Sequence, residues 1–183
     1  MKKLILSLVL FFGVAGATLF SWEANDLTKF PAFTKEGDWI INFGVGLGFP
    51  SYSGNNYIYI PALRLSFDRN TGLGDKNLPF FFGGLVGYSG EGYSNSWFVH
   101  RITTGFRAGY HFNWGVERLD TYAVSTAGWI FHAGDFNYFS KYGSFLFGVN
   151  AGVRYFVTDW FGFWAEVGYT SLSVFDIGIS FKF

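Results

Sequence analysis

Cysteine is absent from the 183-residue chain. That removes thiolate metal sites, a disulfide framework and the lipidated cysteine of a bacterial lipoprotein from consideration. Charge is scarce as well: Asp, Glu, Lys and Arg supply 14% of the residues, and 13 basic groups balance 13 acidic ones. A nucleic-acid partner requires a basic excess or a basic stripe, so nucleic acid is set aside as a ligand. After the first two dozen residues no apolar run approaches the roughly 20 residues of a membrane-spanning helix. The histidines, His100, His111 and His132, are scattered without metal-ligand spacing, and no cofactor, no metal and no catalytic residue is expected.

Aromatic residues and glycine are what the chain has in excess: 23% Phe, Trp and Tyr, and 25 glycines. A sequence this oily without spanning helices either builds a large dry core or alternates against lipid. Glycine weakens ordinary strands but suits crowded barrel interiors, which favours alternation. The last stretch, Ser173–Phe183 (SVFDIGISFKF), shows the pattern most cleanly. Phe175, Ile177, Ile179, Phe181 and Phe183 share one parity, and Asp176, Gly178, Ser180 and Lys182 share the other. Strict alternation describes a strand between two environments. With glycine, serine and charge on the second face, the oily face is expected to meet lipid and the polar face a barrel lumen.

Read from the start, Lys2 and Lys3, the apolar run Leu4–Val14 and the Ala15-Gly16-Ala17 site form a secretory signal peptide over residues 1–17. Residues 18–37 form a periplasmic lead-in, and residues 38–183 a transmembrane β-barrel. Strands are expected near Asp38–Phe49, Tyr57–Asp68, Leu78–Tyr88, Phe98–Phe112, Leu119–Phe131, Ser144–Phe156, Trp160–Thr170 and Ser173–Phe183. Pro61 falls inside the second and predicts a bulge or kink there. Ser89–Ser96 reads as a loop, and the fifth strand is expected to turn Tyr122, Val124, Thr126, Gly128 and Ile130 outward. Eight strands of about 10 residues suit a bilayer, and an even count returns both ends to the periplasmic side. The fold class is therefore all-β: an eight-stranded antiparallel up-and-down transmembrane barrel, too narrow for a wide pore.

Aromatic residues gather near the strand ends on the outward parity. Phe67, Phe112, Tyr122, Tyr155, Phe161, Phe181 and Phe183 are expected at one level, and Tyr57, Tyr88, Phe145, Tyr169 and Phe175 at the other. Such belts mark membrane interfaces. On the inward parity Arg64, Arg107, Glu166 and Asp176 fall at similar depth, counted from the periplasmic strand ends. Buried charge is costly unless paired, so these four are expected to form a structural ionic cluster plugging the lumen.

The segments PALRLSFD, GVRYFVTDWFGFWAEVGYTSL and FDIGISFKF resemble the small bacterial outer-membrane barrels of the OmpX/OmpA type, a porin-like fold. The resemblance implies that the terminal aromatic Phe183, with Phe181, belongs to the signal read by the barrel-assembly machinery. It implies as partners outer-membrane lipid and lipopolysaccharide, and a location in the bacterial outer membrane. The outer loops are modest beside those of adhesion-linked relatives, and no peptidoglycan-binding domain is expected after the barrel. The expected protein is monomeric, structural or surface-interacting, and not an enzyme. Two alternatives stay open. Some eight-stranded barrels modify lipid A, and His100 and His132 share an expected outward parity at the outer rim, although no His-activated serine accompanies them. A narrow or lateral passage for small hydrophobic molecules is the other, with Pro61 near its gap.

Overall fold

The computed structural model describes residues 33–48, 54–71, 80–94, 96–112, 114, 116–134 and 143–183. The expected signal peptide and most of the lead-in lie outside the described residues. Eight strands follow one another: β1 (Trp39–Leu47), β2 (Tyr57–Asn70), β3 (Phe80–Tyr93), β4 (Phe98–Phe112), β5 (Leu119–Gly134), β6 (Ser144–Phe156), β7 (Phe161–Thr170) and β8 (Phe175–Lys182). Each pairs antiparallel with its neighbours, and β1 pairs with β8, so the sheet closes into a barrel. Closure leaves no open sheet edge.

Alternation along the strands sets the two faces. In β6, Phe145, Phe147, Val149, Ala151, Val153 and Tyr155 are exposed, while Leu146, Gly148, Asn150 and Arg154 are buried. The closing strands repeat this, because Gly44 pairs with Gly178 on the inward face of the β1–β8 seam. A Cβ added to Gly178 would stand 2.0 Å from the Phe43 carbonyl oxygen. Only glycine permits that approach, which lets the indole of Trp164 cover the seam from inside and donate to the Phe43 carbonyl at 3.3 Å.

The β2–β3 register shifts between Ile60 and Leu63, around Pro61. Proline has no N–H for the ladder, and the bulge absorbs the loss. One consequence overturns an expectation. Beyond the bulge the parity of β2 reverses, so Tyr57 and Tyr59 pair opposite Tyr93 and Glu91, and Tyr57 donates its hydroxyl to the buried Glu91. Tyr57 therefore leaves the outer aromatic belt. The expected loop Ser89–Ser96 is also mostly strand, since β3 runs to Tyr93 and pairs with β4 along its length.

The parity of β5 is the reverse of the expected one. Tyr122, Val124, Thr126 and Ile130 are buried, and Ala123, Ser125, Ala127, Trp129 and Phe131 are exposed. Pairing explains it: His111 stands opposite Tyr122 and Arg107 opposite Thr126, and cross-strand partners share a face. Inside, Tyr122 and Val124 pack with Phe81, and Ile130 packs with Leu85 and Leu146. Along β5 the large apolar side chains thus share the inward face with Asp120, so hydrophobicity here does not mark the outer face.

The β2–β3, β4–β5 and β6–β7 connections lie at the end carrying Trp39, Asn70, Phe112, Phe156 and Lys182, called the turn end below. The lead-in reaches this end. The Phe33 ring packs at a tilt, 5.0 Å from the inward ring of Phe156, and Lys182 donates to the Phe33 carbonyl at 3.2 Å with its ammonium 4.0 Å from the Phe33 ring. Gly37 donates to the Asn70 carbonyl, which ties the segment to β2.

Candidate functional site

The lumen is where the polar chemistry of the chain collects. Arg64 of β2 faces two carboxylates, donating to Glu166 Oε2 at 2.5 Å and to Asp176 Oδ2 at 2.8 Å. Arg107 of β4 donates to Glu166 Oε1 at 2.6 Å. The structure thus brings together all four residues named from the sequence, drawn from β2, β4, β7 and β8. Glu166 is the hub, because Oε1 also accepts from the Tyr122 hydroxyl at 2.8 Å and Oε2 from Asn150 Nδ2 at 3.1 Å. Asp176 is held in turn by the Ser173 hydroxyl at 2.9 Å.

A second layer lies toward the turn end, and sequence reasoning left it out. Arg154 of β6 donates to Asp68 Oδ2 at 2.5 Å, Asp120 Oδ2 at 2.9 Å and Asn42 Oδ1 at 3.1 Å. Its guanidinium lies 4.0 Å from the centroid of Tyr122. His111 bridges Asp120 at 2.5 Å and Asn70 at 2.9 Å through its two ring nitrogens. Arg107 Nε stands 3.2 Å from Asp68 Oδ1, which joins the layers. Arg154 and Asp68 were legible as inward residues. Asp120 was the signal for the rest: its charge shares a parity with Tyr122, so assigning Tyr122 to lipid would have placed a carboxylate there too.

Nearer the opposite end, Glu91 accepts from Arg101 and from Tyr57. His100 is exposed and hydrogen-bonded to the Tyr88 hydroxyl at 2.8 Å. His132 pairs opposite Arg101 and so shares the inward parity, contrary to the expected common face of the two histidines. At the chain's end, Trp39 and Phe183 exchange backbone hydrogen bonds of 3.0 and 2.9 Å. Phe181 sits between Trp160 and Phe161, at centroid distances of 6.1 and 5.5 Å.

Three guanidiniums, four carboxylates and an imidazole therefore fill the middle of the barrel, each tied to groups on other strands. Replacing water around so many ions is favourable only when every one is paired and hydrogen-bonded. The arrangement can brace the wall and occupy the lumen. Fold and site define the class as a small closed antiparallel β-barrel with an ion-filled interior. No family model matches the chain, and no curated protein matches it.

Proposed function

We propose that this chain is an integral protein of the bacterial outer membrane, of the OmpX/OmpA-like type: monomeric, non-catalytic, and structural or surface-interacting, with a lumen closed by side chains. The observation that carries this reading is the inversion of its two faces. Among the outward positions of the eight strands only Arg69 bears a fixed charge, whereas Arg64, Arg107, Arg154, Asp68, Asp120, Glu166 and Asp176 are buried inside. Water-soluble proteins do the reverse and do not expose apolar surface on this scale. Hydrocarbon around the barrel removes the conflict, with aromatic rings such as Phe80, Tyr110, Phe112, Tyr155 and Phe161 settling at the turn-end interface.

On this reading the turn end faces the periplasm, lipid and lipopolysaccharide surround the wall, and the assembly machinery reads the terminal Phe181 and Phe183. Pairing of Phe183 with Trp39 suits a closing strand that is recognised before the seam forms. The test is expression with export, followed by fractionation and planar-bilayer recording. The chain should be recovered with the outer membrane, need detergent for extraction, and give no steady conductance. A mature chain that stays soluble and compact without detergent overturns the proposal.

A further inference from the structure

The outward face is not uniformly covered. Most of it carries large side chains, but on β3, β4 and β5 small residues open a groove of about 1030 Å³. Gly84, Thr104 and Ala127 form part of its floor, and Phe67, Phe82, Phe106, Trp129 and Phe145 its walls. The ring of Phe67 lies down on Gly84, where an added Cβ would meet Cζ at 2.4 Å. Phe82 and Phe106 stack at 6.0 Å along the turn-end side. From Phe67 on β2 to Phe145 on β6 the groove crosses four strand spacings, about 19 Å at ~4.8 Å each. That exceeds the roughly 15 Å half-thickness of a hydrocarbon core, so an extended chain lying oblique to the membrane normal fits it.

Arg69 stands at the turn-end mouth of this groove, with Trp39 and Thr71. It is the outward cation singled out above, and among the described residues no carboxylate pairs with it. Its guanidinium is held 5.2 Å from the centroid of Trp39. A long apolar trough ending at one cation matches a ligand with a long apolar chain and one anionic head.

We propose that this groove is a binding site for a single anionic glycerophospholipid, its phosphate on Arg69 and one acyl chain across Thr104 and Ala127. The inference rests on the outer-membrane reading. A snorkelling arginine that merely anchors the barrel would need no trough behind it, and a trough for bulk lipid would need no cation at its end. Here the two are continuous.

The test is native mass spectrometry of the barrel released from phosphatidylcholine nanodiscs holding phosphatidylglycerol as a minor component. The natural chain should retain one phosphatidylglycerol. Arg69→Gln should lower the retained fraction about fivefold, the factor that one cation near a lipid surface contributes. Ala127→Trp, which fills the trough and keeps the cation, should lower it at least as much. Equal retention by all three proteins, or retention of phosphatidylcholine in proportion to its abundance, overturns the site while the barrel's insertion still supports the membrane reading. A natural chain that does not enter the bilayer overturns both.

Discussion

Glu166 and Glu91 are both inward carboxylates facing arginine, yet they are built differently. Glu166 accepts from Arg64, Arg107, Tyr122 and Asn150, which come from four other strands and lie up to 102 residues away. Glu91 meets Arg101, ten residues on and across one hairpin. Arg64 and Arg107 have side chains 2% and 0% exposed, against 18% for Arg101. The middle cluster can exist only once the barrel has closed. The pair near the mouth needs only β3 and β4. Depth thus divides the lumen ions into groups that report closure and groups that report a local hairpin.

Removing Glu166 should break this difference most plainly. Glu166→Ala leaves two guanidiniums sharing fewer acceptors in a dry interior, and loss of one partner from such a network costs about 3–5 kcal/mol. Unfolding in detergent, followed by the compact form on gels, should shift strongly toward lower temperature. Unchanged stability would mean that water reaches the cluster. Arg154→Met probes the second layer, where an apolar side chain of similar length leaves Asp68 with Arg107 and Asp120 with His111. Because each carboxylate keeps a partner, the loss should fall at the low end, about 3 kcal/mol. A larger loss than for Glu166→Ala would move the hub to Arg154.

Much of this was readable from residue order, for a physical reason. Six strands separate large apolar residues from glycine and polar ones clearly enough to fix their parity through most of their length, and parity alone carries Arg64, Arg107, Glu166 and Asp176 inward; the consecutive Phe80, Phe81 and Phe82 leave β3 without a readable parity. What failed was the equation of oily with outward. Along β5 the outer face carries Ala123, Ser125 and Ala127, and the lumen face carries Tyr122, Val124 and Ile130, which pack against Phe81, Leu85 and Leu146. An interior that mixes rings with ions along the same strands defeats a rule built for polar lumens. The second layer was missed because Arg154 finds Asp120 on the neighbouring strand, 34 residues away, and Asp68 across the barrel, 86 residues away, and no spacing along one strand encodes that. The reversal of Tyr57 follows from the Pro61 bulge, which was foreseen without its effect on the residues beyond it.

The smallest effect sharpens the comparison from the other side. Arg101→Ala removes a partly exposed guanidinium and leaves Glu91 with the Tyr57 hydroxyl. Glu91 is 1% exposed but keeps the Tyr57 hydroxyl, so losing the charged partner should cost about 2 kcal/mol, and the temperature of barrel unfolding should fall less than in either other variant. Amide exchange should change locally, rising at Ser89–Tyr93 and Phe98–Ile102 and staying flat along β7 and β8. Those strands do not pair with β3 or β4, while the four donors to Glu166 reach β7 from around the barrel. If Arg101→Ala lowered global stability as far as Glu166→Ala, the mouth would be as dry as the middle, and depth would no longer distinguish the two carboxylates.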